Sequence, residues 1–126
     1  MSKNTFVAGF LIIMIVLSAG SCTRENEEAL GRNTSCDTSD VSYSRDIVPI
    51  LIQNCYECHG SSSNGGSGGI ILEGYSNLSK WAANGYLSGN VTHSPGFVGM
   101  PYGRDQLPDC EVNKIVAWVN QGFMDN

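Results

Sequence analysis

Two cysteines separated by two residues, with a histidine directly after the second, are the feature that most constrains this chain. They are Cys55, Cys58 and His59. This spacing is the attachment signature of c-type haem, because each thiol can add to one haem vinyl group while the histidine lies under the ring and reaches the iron. With 5 Cys and 2 His in 126 residues, chance would give only about 0.003 matches per sequence. The motif therefore predicts one covalently bound haem c.

The same cysteine pair has three alternative interpretations. A redox dithiol of the thioredoxin type belongs to a βαβ unit, and the sequence shows no such alternation. A zinc site needs four cysteine or histidine ligands in two close pairs, whereas the other candidates are scattered along the chain: Cys22, Cys36, His93 and Cys110. The third alternative is an incidental structural pair. Haem attachment is the preferred interpretation.

Residues 1–21 are typical of an export signal. Lys3 is followed by an apolar run over residues 6–17 and by small residues up to Ser21, which is the pattern of a secretory signal peptide. An uncleaved membrane anchor is the alternative, but the run would cover only about 18 Å of a hydrocarbon core roughly 30 Å thick. We therefore expect an exported protein.

Cys22, directly after the small residues, resembles the acylated first residue of a bacterial lipoprotein. Such signals usually carry leucine three positions before the cysteine, where this chain has Ala19, and an ordinary signal peptidase could cut at the same bond. The acidic run over residues 25–28 resembles a surface-sorting signal of lipoproteins in the Bacteroidetes, and a solvated linker explains it equally well. We expect residues 22–40 to form an acylated tether, anchored on the periplasmic side or at the cell surface, and residues 41–126 to fold.

The remaining cysteines are expected to pair. Export permits disulfides, and with Cys22 acylated and Cys55 and Cys58 joined to haem, only Cys36 and Cys110 are left. The alternative, two free buried thiols, fits poorly with an oxidising compartment. A bridge would close a loop of about 75 residues and add at most about 4 kcal/mol to the free energy of unfolding, since bound haem would already restrain that loop.

The charge of the chain is acidic and argues against nucleic acid as a partner. The formal net charge is −5, and loss of Lys3 with the signal would leave 6 Lys and Arg against 12 Asp and Glu, a net of −6. No basic stripe is present that could neutralise phosphates. An acidic surface instead favours a redox partner with a basic docking face.

Periodic apolar positions predict a helix that leads into the haem motif. It covers about residues 44–54, with Ser44 as the candidate N-cap and Pro49 tolerable only near the first turn. After the motif, residues 60–69 contain five glycines and four serines, which predict a surface loop. Residues 70–72 are expected to form a short extended piece against the haem.

Two further helices are expected after that loop. Residues 76–84 have an apolar face and precede Gly85, a typical helix stop. Residues 86–99 look like another loop. The last helix has Asp109 as its candidate N-cap and Gly122 as its stop, with an apolar stripe of Val112, Ile115, Val116 and Val119 and with Trp118 beside it.

Met100 is the leading candidate for the second axial ligand of the iron. Haem attached in this way is usually closed by methionine sulfur or a second histidine, and the choice sets the reduction potential. Met100 precedes Pro101, and a proline pushes the residue before it to an extended conformation that suits a side chain directed inward from a loop. The alternatives are Met100 as ordinary core filler, His93 as the ligand, and an iron left open or water-bound.

Together these residues resemble class I cytochrome c. The match, over about residues 36–123, consists of Ile47-x-Pro49-Ile50-Leu51, Cys55-x-x-Cys58-His59-Gly60, Met100-Pro101, and a closing helix with Ala117-Trp118-Val119 and Gly122. More narrowly, the chain is similar to small single-haem cytochrome lipoproteins of the Bacteroidetes. These share the Gly/Ser-rich loop, a stretch like Val91-Thr92-His93, and cysteines corresponding to Cys36 and Cys110. The resemblance implies an all-α, small cytochrome c fold of about three to four helices with long Gly/Ser-rich loops, whose first and last helices cross.

The resemblance also implies the roles of the site residues and a function. Cys55 and Cys58 become the thioether donors, His59 the proximal iron ligand and Met100 the distal one, while a propionate contact is one interpretation of His93. Iron with both axial positions filled has no site for substrate, so the expected protein is an electron carrier of positive reduction potential and not an enzyme. The alternatives are a haem-based sensor or ligand-binding module with a displaceable distal site, and a haem-free dithiol oxidoreductase.

Overall fold

Helices and loops make up residues 36–63 and 67–126, the part of the chain that the structure, a computed structural model, describes. These two ranges contain one π-helical turn, five α-helices and no strand. This confirms the all-α prediction and exceeds the expected three to four helices. The bounds are Tyr43–Ile47 for the π-helical turn, Val48–Asn54 for α1, Tyr56–His59 for α2, Tyr75–Ala83 for α3, Tyr86–Val91 for α4 and Asp109–Asn120 for α5.

The predicted signal peptide (1–21), Cys22 and the tether as far as residue 35 lie outside the described residues. No helix within the described ranges is long and apolar enough to cross a membrane.

The first helical segment is capped by Ser42, two residues before the predicted N-cap Ser44. The Ser42 hydroxyl accepts a hydrogen bond from the backbone N–H of Arg45 (3.3 Å), and the Asp46 carboxylate accepts one from the backbone N–H of Ser42 (3.0 Å). This reciprocal pair satisfies donors that the start of a helix leaves free. The prediction of Ser44 is wrong because apolar periodicity does not show which of two nearby serines is the cap. Pro49 is near the start of α1, where a missing N–H is tolerated, as expected.

The core lies between the π-helical turn, α3 and α5. Trp118 of α5 stacks on Tyr43, with ring centroids 5.7 Å apart, and Tyr43 packs edge-on against Tyr75 of α3 at 5.5 Å. Such aromatic pairs stabilise a core beyond the burial of their area. The largest fully buried side chains are Ile47, Leu51, Leu78, Ile115 and Trp118. The first helical segment thus packs on the last helix, while the crossing of these helices and the cytochrome c fold itself stay predictions.

α5 buries a different stripe from the predicted one. Val112 and Ile115 are buried as expected, but the third buried position is Trp118, and Val116 and Val119 are only partly buried. The indole has the largest apolar area to remove from water. The helix therefore faces the core with its tryptophan and turns part of the valine stripe away.

The ends of α5 agree with the sequence to within one residue. Asp109 is the first helical residue and Pro108 takes the cap position without a side-chain hydrogen bond, so the prediction of Asp109 as N-cap is wrong by one position. A carboxylate in the first turn still suits the positive end of the helix dipole. Gly122, with a φ of 96°, follows the helix as predicted, because a left-handed φ favours glycine.

Residues 36–41, which the sequence analysis divided between tether and domain, are tied to both ends of α5. At its start, the sulfurs of Cys36 and Cys110 are 2.12 Å apart in a disulfide, the pair expected from the cysteine count. At its end, the side-chain amide of Gln121 donates to the backbone carbonyl of Thr38 (2.7 Å). These residues belong to the same compact unit as the helices.

α4 lies at the start of the segment 86–99, which was predicted to be a loop. Gly85, with a φ of 79°, lets the chain turn from α3 directly into α4. Leu87 and Val91 are buried at positions i and i+4, but a buried Gly89 stands between them. Two apolar positions in a six-residue element do not establish a period, and the helix was therefore not predicted.

Candidate functional site

α2 is a single helical turn that carries the predicted haem-attachment motif. The backbone N–H groups of Cys58 (3.1 Å) and His59 (2.8 Å) both donate to the carbonyl of Cys55. Positions i, i+3 and i+4 of a helix lie on one face, and the spacing of the motif matches these positions. Gly60 ends the turn, and a Cβ added to Gly60 would lie 2.6 Å from the carbonyl oxygen of Tyr56. A larger residue there would therefore displace the turn.

A cavity of about 400 Å³ lies against this turn. Cys55, Cys58 and His59 line it, and Met100 lines it from a part of the chain far away in sequence. The structure thus brings together the four residues that the sequence analysis assigned to one site. The volume falls within the roughly 300–1,000 Å³ of small-molecule and cofactor sites. His93, the alternative distal ligand, is not among the residues that line the cavity.

The imidazole of His59 has one nitrogen engaged and the other available. Its Nδ1 lies 3.1 Å from the carbonyl oxygen of Ile70, and because a carbonyl only accepts, Nδ1 carries the proton and Nε2 keeps a free lone pair. Metal-binding histidines are commonly oriented by such a bond to a backbone carbonyl. The N–H of Leu72 donates to the carbonyl of His59 (2.8 Å) and holds the same two segments together. His59 can therefore offer Nε2 to an iron.

The two thiols of the motif are free and differ in exposure. Cys55 is half-buried and Cys58 is exposed. Burial raises the pKa of the Cys55 thiol to about 11, and the nearby carboxylate of Glu111 contributes to the same shift. A redox nucleophile needs a thiol whose pKa is lowered, so Cys55 does not suit that role. Among the described residues, no three His, Cys, Asp or Glu side chains lie together in a group that could hold a metal ion.

The wall of the cavity is largely apolar. The side chains that make it so are Ile70, Leu72, Trp81, Leu87, Val91 and Leu107. Asn90 also lines the cavity, and its side-chain oxygen is buried without a hydrogen-bond partner in the described part of the chain. A buried amide of this kind is costly unless a polar group meets it. Apolar walls, two thiols at attachment spacing, a free imidazole nitrogen and a thioether together fit a haem.

Both backbone polar groups of Met100, its N–H and its carbonyl, make hydrogen bonds. Its N–H donates to the carbonyl of Asn90 in α4 (3.0 Å), and its carbonyl lies 3.0 Å from Nε2 of His93. Met100 is half-buried, whereas His93 is exposed, and the peptide bond from Met100 to Pro101 is cis. Met100 could be identified from the sequence, but the Asn90 carbonyl that accepts from its N–H could not, because a backbone carbonyl leaves no signal in a sequence.

Comparison with known proteins gives no relative for this chain: no protein-family model, no curated protein and no solved structure matches it. The resemblance to class I cytochrome c therefore stays a prediction from the motifs quoted above. The geometry of the cavity is independent of that resemblance, because it follows from the positions of the residues themselves.

Proposed function

We propose that this chain is a one-electron carrier with a single haem c in the cavity of about 400 Å³. Cys55 and Cys58 would hold the haem through thioether bonds, His59 would bind the iron through Nε2, and Met100 would bind it through sulfur. The bound haem would supply the couple between ferrous and ferric iron. We also propose, on the same residues, that the domain has a class I cytochrome c fold.

One observation carries this proposal. Three residues of a local motif and one methionine far away in sequence line the same cavity, although nothing in the local motif requires Met100 to be there. The hydrogen bond from Nδ1 of His59 to the carbonyl of Ile70 adds to it, since it leaves free the nitrogen that an axial ligand needs.

The chain's own residues would set the redox behaviour. The apolar wall keeps water away from the ring, and a site of low dielectric constant disfavours the more highly charged ferric state. The thioether of Met100 is a weak donor to ferric iron and acts in the same direction. A positive reduction potential follows, and a strongly negative midpoint in a redox titration would argue against Met100 as ligand.

The structure bears on the alternative of a sensor with a displaceable distal ligand. That alternative drew support from the expectation that residues 86–99 form a loop. Residues 86–91 are instead helical, and the segment that follows is bonded back to that helix. Rapid binding of carbon monoxide to the reduced protein would nevertheless favour the sensor over the carrier.

The proposal is tested by expressing the chain together with the cytochrome c maturation machinery. Covalent haem on a denaturing gel and a sulfur-to-iron band in the red region of the oxidised spectrum are expected. Met100→Ala should remove that band while haem attachment persists. Met124→Ala is the matched control, because Met124 is 59% exposed and does not line the cavity. A gel without haem, or a band that survives Met100→Ala, contradicts the proposal.

We further propose that the domain is exported and tethered to a membrane through a lipid on Cys22, where it exchanges electrons with redox proteins that have basic docking faces. The acidic charge of the chain and the pattern of residues 1–22 support this. Partition into detergent is expected for the natural chain. Cys22→Ser should move the protein to the aqueous phase without loss of haem, and unchanged partition would argue against the lipid.

A further inference from the structure

The segment from Asn90 to Met100 forms a closed loop around a single carbonyl group. The carbonyl oxygen of Asn90 accepts hydrogen bonds from the backbone N–H groups of both Met100 (3.0 Å) and His93 (3.3 Å). A carbonyl oxygen has two lone pairs and can serve both donors. The early part of the segment (His93) and its last residue (Met100) are thus both bonded to one carbonyl of α4, directly beside the cavity.

The side chain of His93 completes this loop. Its Nε2 lies 3.0 Å from the carbonyl oxygen of Met100, and since that oxygen only accepts, Nε2 is the donor. Met100 is therefore fixed through both of its backbone polar groups. Two fixed peptide groups restrict φ and ψ of the residue between them, and this determines the direction in which its side chain leaves the backbone.

The backbone around His93 is shaped for this contact. His93 has a φ of 54°, a left-handed conformation that is uncommon outside glycine, although histidine and asparagine adopt it more often than most residues. The imidazole lies against Gly99, where an added Cβ would come within 3.1 Å of the ring. The ring is thus placed by its own backbone on one side and by the small size of Gly99 on the other.

We propose that His93 is a positioning residue for Met100: its Nε2–H holds the Met100 carbonyl and so keeps the sulfur directed into the cavity. This inference rests on the proposed function, since it gives the sulfur an iron to bind. It assigns His93 neither to the iron nor to a propionate, because the ring is exposed and does not line the cavity. The contact needs only a donor at Nε2, which both the Nε2–H tautomer and the imidazolium provide.

The test compares three replacements of His93 in the haem-loaded protein. His93→Ala removes the donor. His93→Asn tolerates the positive φ, but its amide is too short to reach the Met100 carbonyl. His93→Gln carries an amide N–H at the reach of Nε2. We measure the sulfur-to-iron band of the oxidised protein, the apparent affinity of the reduced protein for carbon monoxide, and the midpoint of urea unfolding.

We expect the alanine and asparagine variants to bind carbon monoxide about two- to tenfold more tightly than the natural protein, because the loss of one net hydrogen bond shifts the population with an open distal site by about that factor. Their sulfur-to-iron band should weaken in parallel, and the glutamine variant should retain most of both properties. Rescue by glutamine but not by asparagine separates loss of the donor from backbone strain, which asparagine relieves.

The outcomes also separate this inference from the proposed function. If natural protein and His93→Ala show the same band and the same affinity for carbon monoxide, His93 does not position Met100, while the electron carrier stands. If His93→Gln behaves like His93→Ala, the donor is not what matters and the inference fails. If the natural protein binds no haem, or Met100→Ala leaves the band unchanged, the proposed function itself fails and the inference fails with it.

Discussion

The guanidinium of Arg104 donates a hydrogen bond to the carboxylate of Glu57, with Nη2 and Oε2 2.9 Å apart. Both residues line the cavity. Glu57 stands between Cys55 and Cys58, and Arg104 follows Met100 by only a few positions in the chain. The ion pair therefore joins the segment that carries the proposed proximal ligand to the segment that carries the distal one.

This pair should nevertheless contribute little to stability. The two side chains are 59% and 69% exposed, and exposed pairs contribute about 0–1 kcal/mol and are screened by salt. Arg104→Gln should lower the free energy of unfolding by less than about 1 kcal/mol at low ionic strength, and the difference should vanish in concentrated salt. Urea titrations at two salt concentrations measure it. A difference that persists at high salt would mean that Arg104 acts through packing and not through charge.

Two adjacent positions in α1 should differ sharply in their response to alanine. Leu51 is fully buried and Ile52 is 60% exposed. Leu51→Ala should cost about 2–5 kcal/mol, because it removes apolar contacts and leaves a cavity, while Ile52→Ala should stay within about 0.5 kcal/mol. Urea unfolding of both variants tests the assignment of the buried face. Equal losses would show that α1 is rotated from the orientation described.

Asp46 should make stability depend on pH in the acid range. Burial opposes ionisation of this carboxyl, but hydrogen bonds from Lys114 (2.8 Å) and from the N–H of Ser42 outweigh it and hold the pKa below its ordinary value. A lowered pKa in the folded state gives stability that is present above the unfolded-state pKa of about 4 and is lost as pH falls through the folded value.

Asp46→Asn should therefore lower the free energy of unfolding by about 1–3 kcal/mol at neutral pH and by progressively less below about pH 4. Urea unfolding at several pH values follows this convergence. Asp40→Asn is the control, because Asp40 is exposed and its carboxylate takes part in no ion pair of the described residues. A difference in the free energy of unfolding between the natural chain and Asp46→Asn that stays constant down to pH 2 would contradict the prediction.

Replacement of Gly89 by alanine should destabilise the protein for a steric reason. A Cβ at this position would lie 2.5 Å from the ring of Phe97, so Gly89→Ala should cost about 1–3 kcal/mol by overpacking. In a Phe97→Ala background the clash is gone, and alanine should then stabilise α4 by up to about 1 kcal/mol through its helix propensity. The comparison is a double-mutant cycle read by thermal or urea unfolding. The same cost in both backgrounds would exclude this contact.

The helices could be predicted from the sequence where apolar residues recur without interruption. α3 and α5 begin within one residue of their expected starts, and Gly85 and Gly122 follow their ends as predicted. α4 was missed because it is only six residues long and its apolar spacing depends on two residues, Leu87 and Val91. The orientation of α5 was only partly predicted, because the contact between Trp118 and Tyr43 joins residues that no local pattern relates.

The candidate site was likewise predictable from the sequence only in part. The attachment motif is local, since one helical turn relates its three residues, and sequence spacing was sufficient to find them. Met100 was found from its proline neighbour and from the resemblance to cytochrome c. Two of the groups that hold His59 and Met100 are the backbone carbonyls of Ile70 and Asn90, and main-chain atoms are the same in every residue. Only a folded chain shows them.

The disulfide between Cys36 and Cys110 encloses Cys55, His59 and Met100 in one covalent ring. A protease that cuts the backbone once inside this ring adds a water molecule but releases no fragment. The two pieces stay joined until the bridge is reduced. A protein anchored through Cys22, as proposed, would keep both pieces at the membrane after such a cut, and its haem ligands would remain parts of one molecule.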